Sequence, residues 1–324
     1  MYNQTELKEL VDKAIKNLPV IYESEKLAAP IKYILSIGGK RLRPVLALLT
    51  SNLFRDQIDD AVIPALGLEI FHNFTLVHDD IMDKAPVRRG FATVHVKWDT
   101  SQAVLSGDVM AFIANECFIQ AQPDLMAKAF RSYNKAAIEV CIGQQLDMDF
   151  ENATKVTQVE YLRMIELKTA VLIGASAKIG AILSGADERN CDLLYEFGRN
   201  LGFAFQIQDD LLDVYGDSKV FGKTPGGDIT SNKKTFLLVK AMEIATGSLL
   251  KELQELFQSK NIHPEDKIKT VMDIYDQLNI KNIAENMAND YIIKSLDQLA
   301  KVEADPERKK ELKLFAGGLA ERIR

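Results

Sequence analysis

The absence of proline between Pro123 and Pro225 is the feature that most constrains this chain, because so long a stretch without a helix breaker leaves room for several long helices. Apolar or small residues recur within it at helical spacing, at Val159, Leu162, Ile165, Thr169, Leu172, Ser176 and Ile179. Strand signals are scarce, and the pattern predicts an all-α protein. Helices are expected over 5–17, 25–36, 43–53, 60–83, 101–121, 124–150, 157–183, 188–215, 232–258, 265–278 and 280–322, some of them broken. Asp305-Pro306-Glu307 reads as an N-cap followed by a proline in the first turn. Two segments read as irregular: 84–100, with Pro86 and Gly90, and 216–232, with Gly222, Pro225, Gly226 and Gly227. No repeat or low-complexity linker marks a boundary. The expectation is therefore a single domain, 1–324, a bundle of long helices around a central cavity.

Charge narrows the partners. Forty basic against 46 acidic residues leave a net charge of −6, which argues against a nucleic-acid binder working through a broad basic face. An anionic ligand would need clustered cations or bound metal to overcome that field. The long apolar stretches are interrupted by charge, so no membrane span is expected. Residues 1–8 lack a basic segment followed by an apolar one, and a cytoplasmic location follows as the default. Cys117, Cys141 and Cys191 are odd in number and far apart, which suits structural thiols better than disulfides or a metal site.

Segment 61–77 is apolar on most faces, with Glu69, His72 and Asn73 as the main exceptions, as a central helix requires. It ends in charge, at His78, Asp79, Asp80, Ile81, Met82 and Asp83. Asp79 and Asp83 stand four residues apart and share a helix face, with about 6 Å of axial rise between them. Oxygen-only ligands favour a hard ion such as Mg²⁺, which takes one or two carboxylates together with phosphate oxygens. Alone, such a cluster reads more simply as a solvated acidic turn. The spacing returns, however, as Asp209-Asp210-Leu211-Leu212-Asp213 after the apolar run 201–207. Two equally spaced clusters, each closing a buried helix, suit the holding of several divalent ions around one diphosphate.

Cations accompany both clusters. Gly38-Gly39-Lys40-Arg41-Leu42-Arg43-Pro44 sets a glycine turn beside three basic side chains just before a helix, suited to phosphate capture and equally to an ordinary basic helix start. Arg88-Arg89-Gly90 follows the first cluster, and Lys223 and Lys233 follow the second. Lys168 and Thr169 lie mid-helix, and Gln206 precedes Asp209 by three residues; such groups are ordinarily satisfied polar residues of a core.

Taken in order, GGKRLRP (38–44), HDDIMD (78–83), RRG (88–90), GQQLD (143–147), KT (168–169), FQIQDDLLD (205–213), GK (222–223) and NKKT (232–235) resemble the motifs of trans-isoprenyl diphosphate synthases, the polyprenyl synthetase family that includes farnesyl and geranylgeranyl diphosphate synthases. The resemblance implies the isoprenoid synthase fold, a homodimer, and a Mg²⁺-dependent condensation of isopentenyl diphosphate with allylic diphosphates. It implies that Asp79, Asp83 and Asp209 hold a cluster of three Mg²⁺ ions, with Asp80, Asp210 and Asp213 in support. Arg88, Lys168, Lys223 and Lys233 would stabilise the departing diphosphate. Gly39, Lys40, Arg43, His72 and Arg89 would hold isopentenyl diphosphate, and Thr169 and Gln206 would line the allylic side. His72 has an alternative reading as a core histidine. A terpene cyclase and a non-catalytic partner subunit are the competing classes; the complete basic set argues against both.

Product length is read from the helix before the first motif. An isoprene unit extends about 5 Å, roughly three residues of helical rise. Thr75 and His72 fall near the Asp79 face, Phe71 at its edge, and Phe74 points well away. The resemblance nevertheless makes Phe74 the length determinant and implies a C20 product, with C15 as the alternative.

Overall fold

The computed structural model describes residues 1–19, 24–216, 226–259 and 262–320, and nearly all of their regular structure is helical. The elements are α1 (Gln4–Asn17), α2 (Glu25–Ser36), α3 (Leu42–Asn52), α4 (Asp59–Met82), a hairpin of β1 (Val87–Arg88) and β2 (Phe91–Ala92), α5 (Val94–Lys97), α6 (Thr100–Ile119) and α7 (Pro123–Asn152). They continue with α8 (Gln158–Ile165), a π-helical turn (Glu166–Ala170), α9 (Val171–Leu183), α10 (Glu188–Tyr215), α11 (Gly227–Thr230), α12 (Phe236–Ile244), α13 (Gly247–Gln258), α14 (Pro264–Gln277), α15 (Ile280–Lys301) and α16 (Lys309–Ala320).

Local chemistry starts and stops these helices. Asn3 caps α1 and Thr157 caps α8 through reciprocal boxes with Glu6 and Glu160. Asp99 caps α6 and Thr235 caps α12. Three expectations are refined. The run expected over 232–258 is two helices, because Ala245 turns extended and Gly247 adopts positive φ. The run 157–183 is continuous but carries the π turn at 166–170. The run 280–322 breaks after Lys301, and the carboxylate of Asp305 accepts the Glu307 amide in a turn, so regular helix resumes only at Lys309.

The irregular reading of 84–100 is also refined, since it contains the hairpin and α5. Arg89 and Gly90 both take positive φ at the hairpin turn, as a two-residue connection that matches strand twist requires.

The chain divides into two compact units: residues 1–137, 175–195 and 301–315 form the first, and 138–174, 196–300 and 316–324 the second. In the first, α4 is central and packs mainly on α6 and α3. Its Leu66, Leu68 and Ile70 have no exposed surface, and each such side chain contributes about 2 kcal/mol by burial. Among the described residues α4 is also the one helix long and apolar enough to cross a membrane, and Glu69 interrupts its apolar stretch with charge as expected. Most of its apolar surface is consumed by packing within the unit.

In the second unit, Tyr161, Ile207, Leu211, Phe236, Leu253, Val271 and Tyr275 lie in one apolar core. Helix α10 presses on the π turn so closely that a Cβ at Gly202 would stand 2.4 Å from the Ala170 Cα.

Candidate active site

The first unit carries the first acidic motif at the C-terminal end of α4. Asp79 is half-buried, Asp83 is the exposed C-cap, and the Asp83 amide donates to the Asp79 carbonyl at 2.8 Å. Asp80 stands about 100° round the helix from Asp79 and is 1 % exposed. The hairpin returns Arg88 to it, with Nε 2.9 Å from both carboxylate oxygens and Nη2 2.7 Å from Oδ1. The turn is held in place by Thr93, whose hydroxyl donates to the Ala85 carbonyl at 2.7 Å.

A cationic group gathers around His72 on the same helix. Burial, and then the charges of Arg43, Arg89, Arg88 and Arg41, hold its pKa well below the ordinary imidazole range. The ring is therefore neutral near pH 7 and adds hydrogen-bonding capacity without adding to the repulsion. The pKa of Arg89 is itself lowered, first by burial and also by Arg88 and Arg41, so an anion entering here would find concentrated, partly desolvated positive charge. The Arg89 guanidinium donates to the Gly38 carbonyl and lies where a side chain at position 39 would be, with Nη1 2.7 Å from an ideal Cβ. The arginine end could shift to admit a Cβ, so it is the positive φ that explains the glycine at 39.

Arg41 was not distinguished from its neighbours by the sequence, yet it has a separate role. It sits in the left-handed region at φ 51° and ψ 35°, is 4 % exposed, and begins α3. Its guanidinium donates to Glu69 at 2.8 Å, Asp12 at 3.0 Å and the Leu35 carbonyl at 2.9 Å. Glu69 also accepts from the Asn73 amide at 3.1 Å, so two of the polar exceptions within α4 belong to one buried network. Lys40 is exposed, on the other side of this anchor in sequence from the partly buried Arg43.

The second unit repeats the arrangement at the end of α10. Asp209 and Asp213 are half-buried, while Asp210 is buried. Asp210 accepts from the Tyr161 hydroxyl at 2.5 Å, the Phe236 amide at 2.7 Å and the Gln206 side chain at 3.1 Å. Burial, and then the charge of Asp228, push its pKa up to about 7 against those three hydrogen bonds. Asp213 accepts the Asp228 amide at 2.9 Å, which ties α11 to the motif. In both motifs the second carboxylate is thus buried and anchored, and the first and fifth share the adjoining helix face.

The π turn places Lys168 and Thr169. Lys168 donates to Asp147 at 2.5 Å, and Thr169 donates to Gln206 at 2.9 Å. A Cβ at Gly143 would strike the Lys168 backbone, so α7 approaches this turn closely. Lys233 is exposed, with its amide bonded to the Asp228 carbonyl at 2.9 Å. Lys223 lies outside the described residues. Tyr161 and Asp147 are the supporting groups that residue-level reading missed; the ending of GQQLD was the available signal for Asp147.

Among the described residues no three His, Cys, Asp or Glu side chains form a ready cage for a metal. The donor chemistry nevertheless fits a hard cation: carboxylate oxygens only, one pair per helix face, leaving other coordination positions to water and phosphate oxygens.

The pattern of the Polyprenyl synthetase family matches residues 24–275. The chain is 41 % identical over 235 residues to a geranylgeranyl diphosphate synthase of Methanosarcina mazei, covering 72 % of each chain. It is 38 % identical over 257 residues to a geranylfarnesyl diphosphate synthase of Natronomonas pharaonis, covering 74 % of this chain and 75 % of that one. A crystal structure of a geranylgeranyl pyrophosphate synthase superposes with a TM-score of 0.95 at 39 % identity, covering all of both chains.

Proposed function

Because the chain belongs to the polyprenyl synthetase family, we propose that the two acidic helix ends, each with an anchored second aspartate, serve a head-to-tail condensation of isopentenyl diphosphate with allylic diphosphates that yields geranylgeranyl diphosphate. The chain is a prenyltransferase, with the all-α isoprenoid synthase fold. The matched architecture of the two motifs carries the reading. Incubation of the purified chain with Mg²⁺, isopentenyl diphosphate and each allylic diphosphate, followed by product mass analysis, tests it. A C20 diphosphate is expected, and the absence of any condensation product overturns it.

Asp79 and Asp83 of the first unit and Asp209 of the second are the proposed Mg²⁺ ligands, and the metal supplies neutralisation of the diphosphate charge. Asp80 and Asp210 fix their helix ends through Arg88, Tyr161 and the Phe236 amide rather than binding metal. Lys168, positioned by Asp147, and Lys223 and Lys233 stabilise the charge that develops as the allylic C–O bond breaks. Thr169 and Gln206, bonded to each other, line the allylic side. The isopentenyl double bond attacks the allylic carbon, and the departing diphosphate accepts the proton lost from the new chain. No protein nucleophile is required.

Lys40, Arg43, Arg89 and neutral His72 bind isopentenyl diphosphate, with Gly39 beside Arg89. Arg89→Ala is therefore expected to raise KM for isopentenyl diphosphate about tenfold or more, in keeping with a lost charged hydrogen bond of about 1.5–3 kcal/mol, and to change KM for the allylic partner much less. Equal effects on both constants remove the division.

Product length is assigned to the aromatic face of α4. Phe71 is buried, with its ring edge-on to Tyr133 at 5.4 Å, and Phe74 touches both Phe71 at 5.4 Å and the His78 ring at 4.7 Å. Thr75 lies with His72 and Asp79 on the neighbouring face, its hydroxyl donating to the His72 carbonyl at 2.8 Å. Phe74→Ala is expected to lengthen the product beyond C20, and Phe71→Ala to do so if the deeper ring is the floor. Folded, active variants whose products stay at C20 place the floor elsewhere.

A homodimer is part of the same proposal. Leu105, Phe112 and Ile119 repeat at seven-residue spacing on α6 and are 53 %, 68 % and 54 % exposed, an apolar stripe that a second copy would cover. Sedimentation should give twice the chain mass.

A further inference from the structure

A cavity of about 540 Å³ lies in the second unit, bordered by segment 153–159 and by α12 and α13, and its size is that of a small-molecule site. None of the residues assigned above to metal, diphosphate or product length lines it. Its walls include Val156, Leu238, Met242, Leu250 and Phe257.

The polar groups on this wall are unevenly charged. Lys155 and Lys234 line it, and the single carboxylate among its lining residues, Glu243, is held by Lys240 at 3.1 Å. Lys240 also donates to Gln158 at 3.1 Å. Behind Phe257 stands Lys267, buried, its ammonium 4.6 Å from the ring centroid and bonded to the Asn232 side chain. Lys234 makes a long 3.4 Å bond to the Asn232 carbonyl. Among the described residues neither Lys234 nor Lys267 makes an ion pair. Burial lowers the pKa of both, and the charge of Lys234 lowers that of Lys267 further. Two ammonium groups therefore share Asn232 beside an apolar cavity, and among the described residues no carboxylate pairs with either. An anion bound at Lys234 would relieve that repulsion, and a chain on the walls would remove apolar surface from water.

We propose that this cavity binds a linear apolar chain with a terminal anionic group, its chain against Val156, Leu238, Met242 and Phe257 and its head at Lys234. The same chemistry is offered by a phosphorylated prenyl chain and by a fatty acid, and head-group preference separates them.

Calorimetric titration of the full chain with decyl phosphate, decanoate and 1-decanol tests the proposal, with inorganic diphosphate and Mg²⁺ present in excess to occupy the reaction site. One decyl anion should bind per chain, at least tenfold more tightly than decanol. Tighter binding of decyl phosphate identifies the phosphorylated chain, and tighter binding of decanoate the fatty acid. Met242→Trp, which fills the cavity, and Lys234→Gln, which removes the head contact on a half-exposed side chain, should each weaken the anions at least tenfold. Lys234→Gln should leave decanol unaffected. Wild-type anion affinity in Lys234→Gln, or decanol binding as tightly as the anions, overturns the proposal; that variant remains decisive if Met242→Trp does not fold.

Discussion

Asp79→Asn and Asp209→Asn are each expected to lower kcat by about a thousandfold, with melting behaviour close to that of the unaltered chain. A factor of that size corresponds to about 4 kcal/mol of transition-state stabilisation, at the upper range for removing one preorganised electrostatic contact. The side chains are half-buried, and asparagine keeps their shape, so the fold loses little. Asp80→Asn should behave differently, because its carboxylate is 1 % exposed and bonds Arg88 through both oxygens. Its main effect is lost stability and a loosened hairpin, since one partner of a largely buried pair is left behind. Steady-state kinetics across a Mg²⁺ titration, paired with thermal melts, separate the two signatures. Near-normal turnover of Asp79→Asn with unchanged Mg²⁺ dependence would sink the metal assignment.

That contrast marks the boundary of what the sequence could reveal. Periodicity is a property of single helices, so the helical class and the placement of α4 and α10 were legible, as was the shared face of Asp79 and Asp83. The restart after the break that follows Lys301 was signalled by Asp305-Pro306, whereas the break at Ala245 was not legible, because it depends on backbone angles that several residues can adopt. Nor were the partners that anchor the second aspartate of each motif. The five letters of HDDIM and QDDLL do not show that Asp80 faces Arg88 or that Asp210 faces Tyr161, 49 residues away in sequence. Long-range polar partners become visible only when the packing is known. Glu69 shows both sides of this: it stood out as a charge within an apolar helix, yet the sequence did not name its partner.

Glu69→Ala is accordingly expected to destabilise the first unit by about 3–5 kcal/mol, the cost of leaving one charge of a buried pair uncompensated. Arg41 would retain Asp12, which is 32 % exposed, and the Leu35 carbonyl, but would lose its buried counter-charge. The Asn73 amide would lose its Glu69 carboxylate contact in the same step. Glu69→Gln should cost less, because an amide oxygen can still accept from the guanidinium. The double variant Glu69→Gln, Arg41→Met should recover part of the loss of Glu69→Ala, since removing both charges avoids the unpaired one. The functional consequence follows from position. Arg41 is held in a left-handed conformation between Lys40 and Arg43, so loosening it displaces two side chains proposed to hold isopentenyl diphosphate. Glu69→Ala should thus raise KM for that substrate more than for the allylic one, while Asp79→Asn acts on kcat. Denaturant unfolding of the four proteins, together with both Michaelis constants, reads the result. A loss below about 0.5 kcal/mol for Glu69→Ala would show that solvent compensates Arg41 and that the pair does not anchor the glycine turn.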